Sequence, residues 1–423
     1  MEKYRADFPA LDKQRGNKPP IYLDNACTTL VPNQVINAMQ EYYTDYPACN
    51  GGRSRHWFAK ETTSRVEKAR QVIADFINAS SAQEIVFTTN TTHAINTVAF
   101  GFPFQPGDEV LLTGQEHNSN LLPWLKIQQT IGVKVQYLSI PLDLDELEKK
   151  LRLGRIKIFC ATYTSNLTGY TMPEELIKEM TGLAHRYGAL VLLDSAQTAP
   201  RHKIDVKHLD IDFLTFSLHK MCGPRGVGIL YSKKELLDKT IEPLILGGGS
   251  VADAYYDSYT MLLTPDKFEG GTQNYPGQIA AGTAIEYLQN IGFNRIKEHE
   301  TALNRYLSQE LLRHYGDLGW FSILGPEQAE QRGGILTFVV KRPNAVGITD
   351  QLSDLNNIMI RDGAFCVHAY LNSLFGANWT KRLDYNEHSM AYRVSFYFYN
   401  TFLECDIFID TLEQIFLQRA YIY

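Results

Sequence analysis

Residues 215–231 read TFSLHKMCGPRGVGILY: an apolar run, a lysine, a Gly-Pro turn and a second apolar run. This is the pattern of a buried strand whose end delivers Lys220 to a turn before the next strand, GVGILY (226–231), begins. The same kind of run recurs upstream, in EIVFT (84–88), EVLLT (109–113), KVQYL (134–138), KIFCA (157–161), ALVLL (189–193) and DFLTF (212–216). Between several of them lie amphipathic stretches such as EELIKEMTGLAHRYG (174–188), a helical pattern closed by a glycine. Strands that alternate with helices, and are too continuously apolar for a one-sided sheet, predict a mainly parallel sheet covered on both faces. Ligands gather beyond the C-terminal strand ends of such a sheet, and Lys220 falls there.

The reading is therefore α/β, with a large domain over residues 21–274 built on a mainly parallel seven-stranded sheet. A smaller C-terminal α/β domain is expected over 275–423, from helical patterns at 277–290 and 296–314 and strand-like runs GGILTFVV (333–340) and RVSFYFY (393–399). A terminal helix is expected near 403–418, and residues 1–20 are expected to pack on the smaller domain. A chain of 423 residues has room for this division, at about 150 residues per domain. The net charge of −6 argues against a nucleic-acid surface, which needs clustered Lys and Arg. No run approaches the roughly 18 apolar residues of a membrane span. The N-terminal MEKYRADFPALDKQRGNKPP lacks a signal-peptide apolar core, so a cytoplasmic location is expected. Cys27, Cys49, Cys160, Cys222, Cys366 and Cys405 show neither CxxC nor zinc spacing, so reduced thiols and no metal site are expected.

A lysine at the mouth of a sheet, partly desolvated, is suited to hold a carbonyl cofactor as a Schiff base; taken alone, Lys220 reads as a surface lysine at a strand end. LVLLDSAQTAP (190–200) ends a buried strand with Asp194. Pyridoxal phosphate is an electron sink only while its pyridine nitrogen stays protonated, which an acidic partner ensures; alone, Asp194 also reads as a helix N-cap. FTTNTTHAIN (87–96) supplies Thr91 and Thr92 where a strand gives way to a helix, an arrangement that cradles phosphate or simply caps the helix. GQEHNSNLLPW (114–124) places His117 after another strand, to stack on a cofactor ring or to serve the structure.

Taken together and in this order, these segments resemble the class V aminotransferase superfamily within the fold-type I pyridoxal phosphate enzymes. The likeness is greatest to Suf-type cysteine desulfurases and selenocysteine lyases. It runs from IYLDNACTTLVP (21–32) to RVSFYFYNT (393–401), and its most specific segments are DSAQ, SLHKMCGPRGVGILY and FEGGTQN (268–274). The resemblance implies that Lys220 binds the cofactor covalently, Asp194 pairs with the pyridinium, Gln197 bonds the phenolic oxygen and His117 stacks on the ring. Thr92, Ser217 and His219, with Thr91 beside them, would hold the phosphate. Asn166 would lie near cofactor and substrate carboxylate. Thr272 would reach the phosphate in the partner subunit of a homodimer with shared sites. Arg393 would clamp the substrate carboxylate, a task suited to its bidentate fork.

The resemblance also implies the reaction. In Suf-type desulfurases a loop cysteine takes sulfur from cysteine as a persulfide and leaves alanine, for delivery to an acceptor protein. Cys366 in IRDGAFCVHAY (360–370) occupies the matching place, and Arg361 matches an active-site arginine; a basic neighbour favours the thiolate. The alternative is another class V reaction, such as a C–S lyase, epimerase or aminotransferase, with Cys366 as an ordinary small buried residue. Two departures bear on the choice. Ala364 and Phe365 stand where relatives carry polar residues, and the segment 367–392 is longer than usual. His368 and Tyr370 there either contact substrate or anchor the insert. His56, preceded by Arg53 and Arg55, matches an entrance histidine, or else marks the first turn of a helix.

Overall fold

In a computed structural model the apolar runs of the middle of the chain form one seven-stranded sheet. The structure describes residues 1–50, 52, 54–341, 347–377, 379 and 390–420, with 418–420 described by backbone alone. The strands are β1 (Ile85–Thr88), β2 (Glu109–Thr113), β3 (Lys134–Leu138), β4 (Ile156–Thr162), β5 (Leu190–Asp194), β6 (Phe213–Ser217) and β7 (Gly228–Ser232), in the order β1-β7-β6-β5-β4-β2-β3. Strands β3, β2, β4, β5 and β6 are mutually parallel, and β7 is antiparallel to both its neighbours. The expected mainly parallel sheet is present. The direction of β7 follows from its link: residues 218–227 are too few for a parallel return, which takes about a dozen residues or more. β2 and β6 are buried along their whole length, as a sheet covered on both faces requires. Four helices matter below: α1 (Trp57–Phe76), α2 (Thr91–Gly101), α3 (Leu122–Ile131) and α4 (Glu174–Arg186). The last stops before Gly188, which takes the left-handed φ of 76° that ends the stretch expected to be helical.

The chain divides into two units. The large one holds the sheet and comprises Gln34–Tyr163 and Met172–Asn290; the small one comprises Met1–Asn33, Thr164–Thr171 and Ile291–Tyr423. In the small unit, β8 (Phe321–Leu324), β9 (Ile335–Val340), β10 (Arg361–Asp362) and β11 (Met390–Ser395) form an antiparallel sheet in the order β8-β9-β11-β10. Helices α5 (Phe293–Tyr315) and α6 (Phe402–Ala420) supply Leu303, Leu307, Phe408 and Leu412 to a core shared with Phe338 and Tyr392 of the sheet. The N-terminal segment is tied into the same unit. Ile21–Tyr22 pairs in parallel with Ile358–Met359, Arg5 is 2.8 Å from Glu404, and the Phe8 and Tyr399 rings lie 4.5 Å apart.

The strand expected over 393–399 is displaced: it begins at Met390 and stops at Ser395. A strand sends alternate side chains to opposite faces, whereas Phe396, Tyr397, Phe398 and Tyr399 are all fully buried. They leave the sheet, Phe396 staying in the core of the unit while Phe398 and Tyr399 pack against Tyr4 and Phe8.

Candidate active site

In the large unit the C-terminal ends of β5 and β6 carry the central groups. Lys220 closes a short 3-10 turn, Leu218–Lys220, directly after β6 and is half-buried. Asp194 ends β5 and is buried; its Oδ1 accepts from the Ala196 N–H at 3.0 Å. Burial pushes the Asp194 carboxyl up, while the Ala196 N–H and the charge of Lys220 draw it back. Gln197, one turn on, accepts at Oε1 from Arg201 Nη1 at 3.2 Å, which makes the amide nitrogen its donor end. His219 is held down to about 4, first by burial and then by the charges of Lys220 and Arg225, so it is neutral at physiological pH.

The N-terminus of α2 is fastened to the same strand ends. Asn90 caps it by accepting from the His93 N–H at 2.9 Å. The Thr91 N–H donates to Ser217 Oγ at 2.7 Å, and the two hydroxyls are also 2.7 Å apart. Gly228 makes the approach possible, since a Cβ there would lie 2.4 Å from the Asn90 Cα. Thr92 is exposed, with its hydroxyl 2.7 Å from that of Ser119. The Ser119 N–H donates to Nδ1 of His117 at 3.1 Å, so Nδ1 is an acceptor and a neutral His117 carries its proton on Nε2. Helix-terminal N–H groups with hydroxyls suit a phosphate, and a buried carboxylate suits a protonated ring nitrogen. The donor set therefore fits pyridoxal phosphate. His56 and Thr272 are exposed and, among the described residues, make no hydrogen bond to this cluster. His56 caps α1, accepting from the Ala59 N–H at 3.3 Å, and Arg53 lies outside the described residues.

The small unit brings together Asp24, Cys27, Asn166, Arg361, Phe365 and Arg393. Arg361 and Arg393 face each other as register partners on β10 and β11. Arg393 is buried; it donates to Asp24 Oδ1 at 3.2 Å and to the Asn166 carbonyl at 3.1 Å, and the Phe365 ring covers its guanidinium at 4.9 Å. Asn166 Nδ2 donates to the Phe365 carbonyl at 2.8 Å, and Arg361 Nη1 lies 3.2 Å from the Cys27 sulfur. Burial pushes the Asp24 carboxyl up, against the pull of Arg393 and Arg361. Two guanidinium groups and one carboxylate leave a surplus positive charge, which suits a substrate carboxylate. Cys366 is half-buried beside this group, and both Phe365 (φ 49°) and Cys366 (φ 58°) hold left-handed backbone that non-glycine residues rarely adopt.

A model of the aminotransferase class-V family matches residues 21–408. The chain belongs to that family. It is 37% identical over 415 residues to a probable cysteine desulfurase of Halalkalibacterium halodurans, covering 96% of each chain. Among solved structures, an apo cysteine desulfurase of Thermococcus onnurineus aligns with a TM-score of 0.86 at 32% identity, over 98% of this chain and 97% of that one. A cysteine desulfurase of Escherichia coli in an S-sulfonic acid form gives 0.83 at 31% identity, covering 97% of both.

For this class-V chain the architecture is fold-type I, and the departure at Ala364 and Phe365 has a structural cause. Ala364 and Phe365 are apolar because they enter a core with Leu167, Val339, Leu371 and Trp379. Tyr370 packs on that core from a helix, His368–Phe375, at the head of the insert; residues 378 and 380–389 of the insert lie outside the described residues. Sequence reasoning missed Asp24, Ser119 and Arg201. Asp24 had a local signal, a carboxylate closing the apolar run IYL, but its partner Arg393 is 369 positions away.

Proposed function

We propose that this protein is a pyridoxal phosphate-dependent cysteine desulfurase, which removes sulfur from L-cysteine as a persulfide on Cys366 and releases L-alanine. The observation that carries the reading is the register pair of Arg361 and Arg393, a surplus of positive charge in the same unit as the half-buried Cys366, which follows Arg361 by five residues in the chain. The relatives named cysteine desulfurase, alike over nearly the whole chain, support it.

When bound, the cofactor withdraws electrons from the substrate Cα and so loosens the bonds there. Lys220 would hold it covalently, and its Nζ would take the Cα proton of the substrate. Asp194 keeps the ring nitrogen protonated, Gln197 donates to the phenolic oxygen, and His117 covers the ring with Nδ1 fixed by Ser119. Thr91, Thr92, Ser217 and a neutral His219 receive the phosphate. Arg393, with Arg361 and Asn166, orients the α-carboxylate, and His56 stands at the entrance. The Cys366 thiolate attacks the substrate sulfur. The bond between that sulfur and Cβ breaks, its electron pair stays with carbon, a proton adds at Cβ, and the sulfur remains on Cys366.

The working unit in this proposal is a homodimer, with Thr272 reaching the partner's phosphate site. Exposed apolar side chains around the hairpin Val251–Ala254/Tyr259–Met261, including Ile245, Leu246, Tyr255 and Leu263, support a second copy there. None of the six cysteines is in a disulfide, which supports a reducing, cytoplasmic setting and a persulfide handed to an acceptor protein. Among the described residues no helix is long and apolar enough to cross a membrane, and no cluster of side chains is placed to hold a metal.

Incubation of the cofactor-loaded protein with L-cysteine and a reductant tests the reading. Alanine and sulfide in equal amounts are expected. Pyruvate, or amino-group exchange with 2-oxo acids, would assign a different class V reaction.

A further inference from the structure

Glu116 immediately precedes His117 and is only 4% exposed. Its Oε1 accepts from the Thr162 N–H at 2.9 Å and from the Thr113 hydroxyl. Its Oε2 accepts from the Thr162 hydroxyl at 2.5 Å and from Asn120 Nδ2 at 2.7 Å. Asn120 in turn accepts from the Trp124 indole at 3.1 Å. One carboxyl thereby joins the end of β2, the end of β4, the turn that follows His117 and the start of α3.

Each of these bonds is donated to the carboxyl, an arrangement that favours the anion, yet no cation is hydrogen-bonded to it among the described residues. The titratable groups that face it are acidic: Asp194 on β5 and the Cys160 thiol on β4, with His117 next in its own turn. The charge of Lys220 acts on Asp194 in turn. Thr162, gripped twice by Glu116, is the register partner of Asp194, and the Tyr163 N–H donates to the Asp194 carbonyl at 2.9 Å. Burial, aided by the charge of Asp194, outweighs the donors and pushes Glu116 up to about 7.

We propose that Glu116 is the positioning residue of the cofactor site: it locks the His117 turn onto the strand end beside Asp194, and its negative charge strengthens the hold of that end on a protonated ring nitrogen. The proposal rests on the pyridoxal phosphate reading above. A bare structural stitch would act alike at every pH. A charge that supports the ring nitrogen acts only while Glu116 is ionised, so its effect must fade as pH falls through its titration.

The test is the dissociation constant of pyridoxal phosphate for the apo-protein, measured between pH 6 and 8.5 by quenching of tryptophan fluorescence. Glu116→Gln is expected to bind roughly tenfold more weakly at pH 8.5, about 1.4 kcal/mol of lost charge attraction. The gap to the unaltered protein should close toward pH 6, where both are neutral at this position. A gap that is absent, or constant across the range, overturns the proposal. Thr162→Val keeps side-chain volume but withdraws one donor from the anion. It should match the unaltered protein at pH 8.5 and bind more weakly at pH 7; a match at both also overturns it, even if Glu116→Gln does not fold. Failure of the unaltered protein to bind pyridoxal phosphate at any pH would instead remove the cofactor reading, and this inference with it.

Discussion

Arg361 and Arg393 stand directly opposite each other on neighbouring antiparallel strands, a like-charge pairing that costs stability. Asp24 compensates one of them, at 3.2 Å from Arg393. Burial still draws Arg393 down, as does the charge of Arg361, while Asp24 raises it. Such an arrangement suits an anionic ligand, which would relieve the repulsion. Arg361→Ala should raise KM for cysteine by about 10–100-fold, the effect of roughly 1.4–3 kcal/mol of lost charge-assisted bonding. Thermal unfolding of the same variant without cofactor should show no loss of stability, because the repulsion goes with the guanidinium. A clear drop in its melting temperature would contradict the account of this pair.

Phe365 links that pair to the reactive loop. Its ring lies over Arg393 and inside the core with Leu371 and Trp379, at a left-handed φ of 49°. Phe365→Ala should cost about 3–5 kcal/mol in urea unfolding. It should also accelerate alkylation of Cys366 by iodoacetamide several-fold, because the ring no longer holds the loop. An alkylation rate equal to that of the unaltered protein would show that Phe365 does not govern the loop.

Arg70 of α1 and Glu269, the acid of FEGGTQN, form a buried bidentate pair at 2.6 and 3.0 Å in the large unit. Arg70 also donates to the Ile85 carbonyl, and Glu269 accepts from the Phe87 N–H at 2.8 Å, so the pair anchors β1 and the turn leading to Thr272. Glu269→Gln removes the buried counter-charge and leaves the Arg70 guanidinium only the half-exposed Glu67 at 3.3 Å, and a loss of about 3 kcal/mol is expected. Replacing both residues by Met should recover only part of it, since the Ile85 carbonyl and the Phe87 N–H then lack partners. Equilibrium unfolding of the single and double variants measures both values.

The sheet was legible because burial on both faces makes continuous apolar runs, and β2 falls at the residues where the sequence places it; the edge strand β3 does so too, although only Leu138 of it is fully buried. β10 spans only Arg361–Asp362, too short to leave a pattern, although it aligns the two arginines. The positions of Lys220, Asp194, Thr91 and Ser217 could be read because each sits where a strand gives way to a turn or helix. Glu116 and Asp24 could not be weighed in the same way: their partners Thr162 and Arg393 are neighbours in space alone. The segment Thr164–Thr171 shows the same limit. It lies between a strand and a helix of the large unit, yet it belongs to the small one through bonds such as Asn166 to Phe365.

Cys366→Ser separates cofactor chemistry from sulfur transfer. Lys220 and Asp194 are untouched by the change, so the cofactor absorption band should be unaltered and still lost on borohydride reduction. Alanine formation from cysteine should fall at least 100-fold, because a hydroxyl at neutral pH cannot replace a thiolate as nucleophile (about a few per cent ionised for free Cys near pH 7). Alkylation and mass analysis after a single turnover should find the extra sulfur on Cys366 in the unaltered protein. Turnover that survives the substitution would take Cys366 out of the reaction.

His219 provides a pH dependence whose sign can be fixed. Its ordinary value of 6.5 is lowered to about 4 in the folded protein. Between those limits the unfolded chain takes up a proton that the folded chain refuses, so stability falls as pH drops through 6.5 toward 4. Burial lowers His93 and His299 too, and they act in the same direction. Glu116 acts oppositely: its ordinary value of 4.5 is raised to about 7, so its contribution is present at low pH and lost as pH rises between those values. The whole-protein profile sums these effects, and His219→Gln isolates one of them. In urea unfolding of the apo-protein, the stability of His219→Gln relative to the unaltered chain should improve steadily from pH 7.5 to pH 5. A difference that stays flat would mean that His219 titrates alike in the folded and unfolded chains, and one that runs the other way would mean that the folded protein holds it charged, so that its proposed place beside the phosphate rests on an ion pair and not on a neutral donor.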